Sequence, residues 1–154
     1  MVEALTVRVQ TDDFDVAAEL AAMRLASADI GAIVNFIGQV RDINEGDTIH
    51  TLTLEHYPSM TERALEAIEN EAKTRWNISS SLIIHRVGTL KPLDQIVFVA
   101  VASAHRGEAF KACEFMMDYL KTQAPFWKKE ATNDGEHWVE AKMSDDDAQA
   151  RWEQ

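Results

Sequence analysis

Residues 103–130, SAHRGEAFKACEFMMDYLKTQAPFWKKE, decide how this chain is built. They begin at the end of an apolar run (residues 96–103, IVFVAVAS), cross the pair His105-Arg106, and continue with Ala109, Cys113, Met116 and Leu120 at helical spacing, supported by Phe110 and Met117. That spacing predicts a helix with one face on a sheet. Lys111, Glu114, Asp118 and Lys121 fall on the polar face, and Pro125 ends the helix ahead of Phe126-Trp127 and Lys128-Lys129. A strand as apolar on both faces as 96–103 belongs in the middle of its sheet.

Upstream, residues 81–87 read as a strand that meets residues 95–103 through the turn 88–94, which holds Gly88 and Pro92. Before it, Leu65, Ile68, Ala72 and Trp76 give a helix one apolar face, and Ser59-Met60-Thr61-Glu62 has the form of a capping box at its start. Residues 31–40 and 48–57 read as strands, expected to pair antiparallel across the polar, mobile loop 42–47. Residues 5–10 alternate as a short strand. Asp12-Asp13 can cap a helix over 14–27 with Val16, Leu20 and Met23 as its buried stripe. Downstream, Asp134-Gly135 predicts a final hairpin between 129–132 and 137–141, and the tail from Ser144 reads as a short acidic helix with Trp152 near its end. Hairpins mixed with helical connections indicate one α+β domain over 1–154, a mixed or antiparallel sheet with packed helices.

The 154 residues suffice for a real core, and 46% hydrophobic content is that of a soluble protein. The longest apolar run is too short to span a bilayer, and the first residues show no basic segment followed by an apolar one, so a cytoplasmic protein is expected. A formal net charge of −11 argues against nucleic-acid or membrane binding. Charge is uneven, however. Residues 103–130 carry five bases (Arg106, Lys111, Lys121, Lys128, Lys129) against four acids (Glu108, Glu114, Asp118, Glu130), whereas from Ala131 onward seven acids face two bases. A locally basic site in an acidic protein fits a small anion better than a polyanion.

The strand-to-helix junction supplies free backbone N–H groups for such an anion, with His105 and Arg106 beside them. Lys121 and Lys128 follow from the far end of the helix. Each lysine has an equally simple alternative, Lys121 as a surface partner of Asp118 and Lys128-Lys129 as a solvated pair. His50 and His56 share a strand face by their even spacing, but no third ligand stands at a recognised spacing, so no metal is expected. Cys113, the only cysteine, lies on the apolar helix face and reads as core. Signatures for dinucleotides, P-loops and serine hydrolases are absent.

Six stretches together resemble the large, catalytic subunit of molybdopterin synthase: FIGQVRD (36–42), LTLEHYPSMTE (52–62), IHRVGTLKPLD (84–94), VFVAVASAHRGEAF (97–110), MDYLKTQAPFWKKE (117–130) and HWVEA (137–141). The resemblance implies an α/β hammerhead fold and the conversion of cyclic pyranopterin monophosphate to molybdopterin. It implies sulfur delivery by a small ubiquitin-like subunit with a C-terminal Gly-Gly thiocarboxylate, and a homodimer inside a heterotetramer. It also implies Lys121 and Lys128 as catalytic residues, and Gln39, Arg41, His105, Arg106, Lys129 and Glu130 as substrate-binding ones, with Gln39 standing where the family often has Lys. No cofactor is implied. The residues agree with that chemistry, because the lone thiol reads as core and the sulfur must come from elsewhere, while a phosphate and a thiocarboxylate both call for fixed cations. A noncatalytic module binding a phosphorylated ligand, or another acyl or sulfur transfer with the same kind of partner, fits the same residues.

Overall fold

Strand β7 (Gln95–Ser103) runs antiparallel between β5 (Ser80–Arg86) and β2 (Ala32–Gln39), and β1 (Val7–Gln10) adds parallel to β5, giving the order β1-β5-β7-β2. The computed structural model describes residues 6–44, 46–139 and 143–153. The two apolar faces of β7 serve two separate cores. Val97, Val99 and Val101, with Ile83 and Val7, take α3 (Arg106–Gln123) and α2 (Met60–Arg75) on one side. Phe98, Ala100 and Ala102, with Leu82 and Ile84, take Phe14, Met23 and the flanking α1 (Val16–Leu25) on the other. The helical face expected from the spacing is there, with Ala109, Ala112, Cys113, Met116 and Leu120 at 5% exposure or less, but Phe110 is 60% exposed and lies outside it.

The remaining strands form a second sheet around β4 (Asp47–His56), which pairs with β8 (Phe126–Thr132), β3 (Ile43–Asn44) and β6 (Gly88–Leu90), while β9 (Gly135–Trp138) adds to β8. The α+β reading holds, but the pairing expected for residues 31–40 and 48–57 does not. β2 pairs with β7 and β4 with β8, so the segment between them passes from one sheet to the other. The turn 88–94 is likewise more than a turn, since Gly88–Leu90 becomes the strand β6 and thereby ties the two sheets together. The closing hairpin is present, with Gly135 at φ +107 and Thr132 opposite Gly135. Its expected last residues, 140 and 141, lie outside the described residues, as does Glu45 of the loop 42–47.

Two helix starts differ from expectation. The cap of α1 is Asp15, whose side chain accepts from the Ala18 N–H, while Asp13 accepts from Phe14 and Gln95. Ser59 makes no side-chain cap at φ +71; the Thr61 hydroxyl instead holds the turn that precedes the helix, donating to the Tyr57 carbonyl at 2.8 Å and accepting from the Tyr57 N–H at 3.2 Å. At the other end of the chain α4 (Met143–Ala150) lies against α3, with Trp152 between Trp76 and Phe115. No described helix is long and apolar enough to cross a membrane.

Candidate active site

A cavity of about 380 Å³ opens where the two sheets meet the end of α3. One wall is β2 and the residues just after it, including Gln39 and Arg41; Lys121 comes from the last turn of α3, Lys128 and Glu130 from β8, and His85 from β5. Each arrives there for a local reason. β2 shifts register between Gly38 and Gln39, and a Cβ on Gly38 would lie 2.9 Å from Val97 Cγ1, so only glycine lets the strand bend against β7 at that point. The next residue, Val40, donates its N–H to Asp94 O and accepts from the Leu93 N–H, both at 2.9 Å, which fixes the backbone from which Arg41 projects. Lys121 sits where a helix C-terminus favours a cation.

Strand period sorts the residues of β8. Phe126, Lys128 and Glu130 face the interior, with Phe126 stacked on His85 and the other two lining the cavity. Trp127 and Lys129 face the opposite way. Lys129 ion-pairs with Glu136 at 3.6 Å and lies 5.2 Å above the Trp138 ring, so its expected place in the cavity is not where the structure puts it. His105 and Arg106 are exposed at the start of α3, and Arg106, the nearer of the two, stands fifteen residues before Lys121, or roughly 22 Å at 1.5 Å per helical residue. Of the residues expected at one site, the fold therefore gathers Gln39, Arg41, Lys121, Lys128 and Glu130, and leaves out Lys129, His105 and Arg106.

Three cations, Arg41, Lys121 and Lys128, thus share the cavity with one carboxylate, Glu130, which is 4% exposed and 3.5 Å from His137 Nε2. This is a setting for an anion. His85 is the residue the sequence reading passed over. It is 5% exposed, and burial pushes its imidazole down to about 3, with the charges of Lys121, Lys128 and His56 acting in the same direction against the hydrogen bond to Arg86 O. A histidine directly after the apolar run Leu82-Ile83-Ile84 was the available signal.

Cys113 behaves as core. Its thiol is 5% exposed, lies 3.9 Å from Val99 O, and is pushed up to about 11, chiefly by burial and then by Glu114. His50 and His56 do not share a face after all: the pairing of β4 with β8 shifts between Ile49 and Thr51, so His50 points out to Asn133 at 2.6 Å while His56 follows Leu52 and Leu54 inward. Among the described residues no three His, Cys, Asp or Glu side chains cluster as metal ligands.

Similar proteins carry the same architecture. A molybdopterin synthase catalytic subunit from Ralstonia nicotianae is 59% identical over 147 residues, 96% of this chain and 84% of that protein. The structure of a molybdopterin biosynthesis MoaE protein from Burkholderia ambifaria superposes with a TM-score of 0.83 at 56% identity, over 98% of this chain and 99% of that one. A complex of subunits 1 and 2 of molybdopterin-converting factor from Helicobacter pylori, at a TM-score of 0.75 and 18% identity over 90% and 92% of the two chains, shares the fold. The MoaE protein family model matches residues 9–123, from β1 to the end of α3 and so through Lys121, and the chain belongs to that family.

Proposed function

We propose that the cavity takes cyclic pyranopterin monophosphate and the thiocarboxylate tail of a small partner, and that Lys121 and Lys128 do the chemistry there. The chain acts as the catalytic subunit in molybdopterin synthesis, a step of molybdenum cofactor formation, and works with a small sulfur-carrier subunit. The observation that carries the site assignment is the convergence of Arg41, Lys121 and Lys128 on one cavity. In this reading Arg41 holds the phosphate through charge-assisted bonds, with Gln39 and Glu130 orienting the pterin. Lys121 moves the proton or forms a transient link, and Lys128 stabilises the oxyanion that develops as sulfur leaves the tail. Two sulfurs enter the dithiolene, so two tails are consumed, each ending as a carboxylate. The thiol of Cys113, buried and held protonated, takes no part.

His105 and Arg106 lie too far along α3 to serve the cavity of their own chain, so they serve that of a second copy, within a homodimer that carries two small subunits in the cytoplasm. Mixing tests this arrangement. If Arg41→Ala and Arg106→Ala are each inactive, random exchange leaves one intact site in half of the dimers and recovers about a quarter of the wild-type rate. No recovery, in dimers shown to exchange, overturns the shared site. For the function as a whole, the chain incubated with cyclic pyranopterin monophosphate and a thiocarboxylated small subunit is expected to yield the dithiolene product. Binding of both without product would instead make it a noncatalytic module.

A further inference from the structure

His85 is held from three sides. Its ring stacks on Phe126 with centroids 3.8 Å apart and planes 16° from parallel, its strand neighbour across the sheet is Val97, and its Nδ1 lies 2.8 Å from Arg86 O. A carbonyl oxygen only accepts, so Nδ1 must carry the ring's proton and donate it. In a neutral ring that leaves Nε2 as a bare acceptor, on the edge opposite the backbone bond. The charged and titratable groups that act on this ring are Lys121 from α3, Lys128 from β8 and His56 from β4, and Lys121 exerts the largest of the three effects. All three oppose a second proton on the imidazole, as does its burial. His85 and Lys121 line the same cavity, the first buried in its wall and the second exposed at its rim.

A fixed, uncharged acceptor in the wall of the cavity that a flexible lysine also lines has an obvious use. Four rotatable bonds let an exposed ammonium wander, and a group that must meet a reacting atom needs a second point of attachment. We propose that His85 is a positioning residue for the reaction, its Nε2 edge receiving the Lys121 ammonium and aiming it at the substrate once the cavity is filled. A cation in the same place would repel the lysine, and an aliphatic side chain would leave it unguided. The proposal rests on the reading that Lys121 acts in the chemistry, and deepens it.

Three substitutions separate positioning from packing. His85→Gln carries an amide oxygen out to the distance of Nε2, His85→Asn keeps a donor for Arg86 O but reaches no further, and His85→Phe keeps the ring and its stacking on Phe126 but has no polar atom. With cyclic pyranopterin monophosphate and a thiocarboxylated small subunit, the Gln variant is expected to stay within about threefold of wild type. Per folded molecule, the Asn and Phe variants should lose on the order of 10- to 100-fold in kcat with little change in KM, and Asn, which gives up the stacking on Phe126, should also melt below wild type. In a Lys121→Ala background, His85→Asn should cost nothing more, because the group it positions is gone. Full turnover by His85→Asn overturns the proposal, and so does an equal loss in both backgrounds, which marks a structural role. A fully active Lys121→Ala variant strikes the underlying reading of Lys121 instead, and an inactive wild type strikes sulfur transfer itself.

Discussion

The Trp152 indole Nε1 donates to Asp118 Oδ2 at 2.7 Å, joining the chain's last helical segment to the outer face of α3. Arg151 reaches the same carboxylate oxygen at 3.4 Å, and Arg75 donates to Trp152 O at 2.8 Å. The bond fixes a side chain that packs edge-on against both Trp76 and Phe115, with centroids 5.5 and 5.7 Å away. Asp118 is thereby taken up by the C-terminal segment, and the surface pairing with Lys121 that sequence spacing allows is not the one formed.

Replacing Trp152 by Ala should therefore destabilise the chain by about 2–4 kcal/mol, from lost aromatic contact and a carboxylate deprived of its donor. Asp118→Asn should cost less, since an amide oxygen still accepts from the indole. Urea unfolding of the two variants orders these losses, and equal stability of Trp152→Ala and wild type would show that the C-terminal segment adds nothing to the core.

Cys113→Ser puts a hydroxyl where the thiol is surrounded by the apolar core of α3 and β7. A buried hydroxyl with only a distant carbonyl for partner should cost about 1–3 kcal/mol. Turnover per folded molecule should be unchanged, because the sulfur comes from the partner. A thiol pushed up to about 11 should also resist alkylation at pH 8 in the folded chain. A Ser variant of normal stability that fails to transfer sulfur would make the thiol chemical.

Glu69 gives stability a pH dependence. It is 2% exposed, accepts from Ser81 Oγ at 2.5 Å and Thr6 Oγ1 at 2.8 Å, and burial raises its pKa above the ordinary carboxylate value of 4.5 despite both bonds. With the folded value above the unfolded one, the folded state binds the proton more tightly. This contribution is therefore fully present below 4.5 and is lost as pH rises through the folded value. Glu69→Gln, which cannot ionise, should gain on wild type between acid and neutral pH. Unfolding free energies measured at a series of pH values for both proteins test this, and parallel curves would refute it.

Much of this was legible in the sequence because period carries it. The two-sided apolar run 96–103 foretold a central strand, and the Ala109, Cys113, Met116, Leu120 spacing foretold the helix face on it. What period cannot report is which strand pairs with which: residues 31–40 and 48–57 look like hairpin arms, yet the first pairs with β7 in one sheet and the second lies in the other. A one-residue irregularity is equally silent, and the shift beside His50 turned it away from His56. Lys129 was expected in the cavity from its position in the motif that the resemblance rests on, but it follows Lys128 directly, and neighbours on a strand face opposite ways. His105-Arg106 and Lys121 belong to one stretch of sequence, 103–130, and only the length of the helix between them shows how far apart they are.

Lys121 and Lys128 stand on different elements yet line one cavity, whereas Lys111 lies on the polar side of α3, away from it. Lys121→Ala and Lys128→Ala should each leave stability within about 0.5 kcal/mol and lower turnover by a factor on the order of 100 or more, the usual cost of removing a positioned acid, base or oxyanion-stabilising group. Lys111→Ala should leave both unchanged. Arginine replacements then divide the roles, because Arg keeps the charge and does not surrender its proton. If Lys121 transfers a proton or forms a covalent link, Lys121→Arg should be as poor as Lys121→Ala. If Lys128 only stabilises charge, Lys128→Arg should recover a substantial part of the lost rate. Steady-state rates of the five variants, each checked for folding by thermal melting, decide this, and full turnover by Lys121→Arg would reduce Lys121 to its charge.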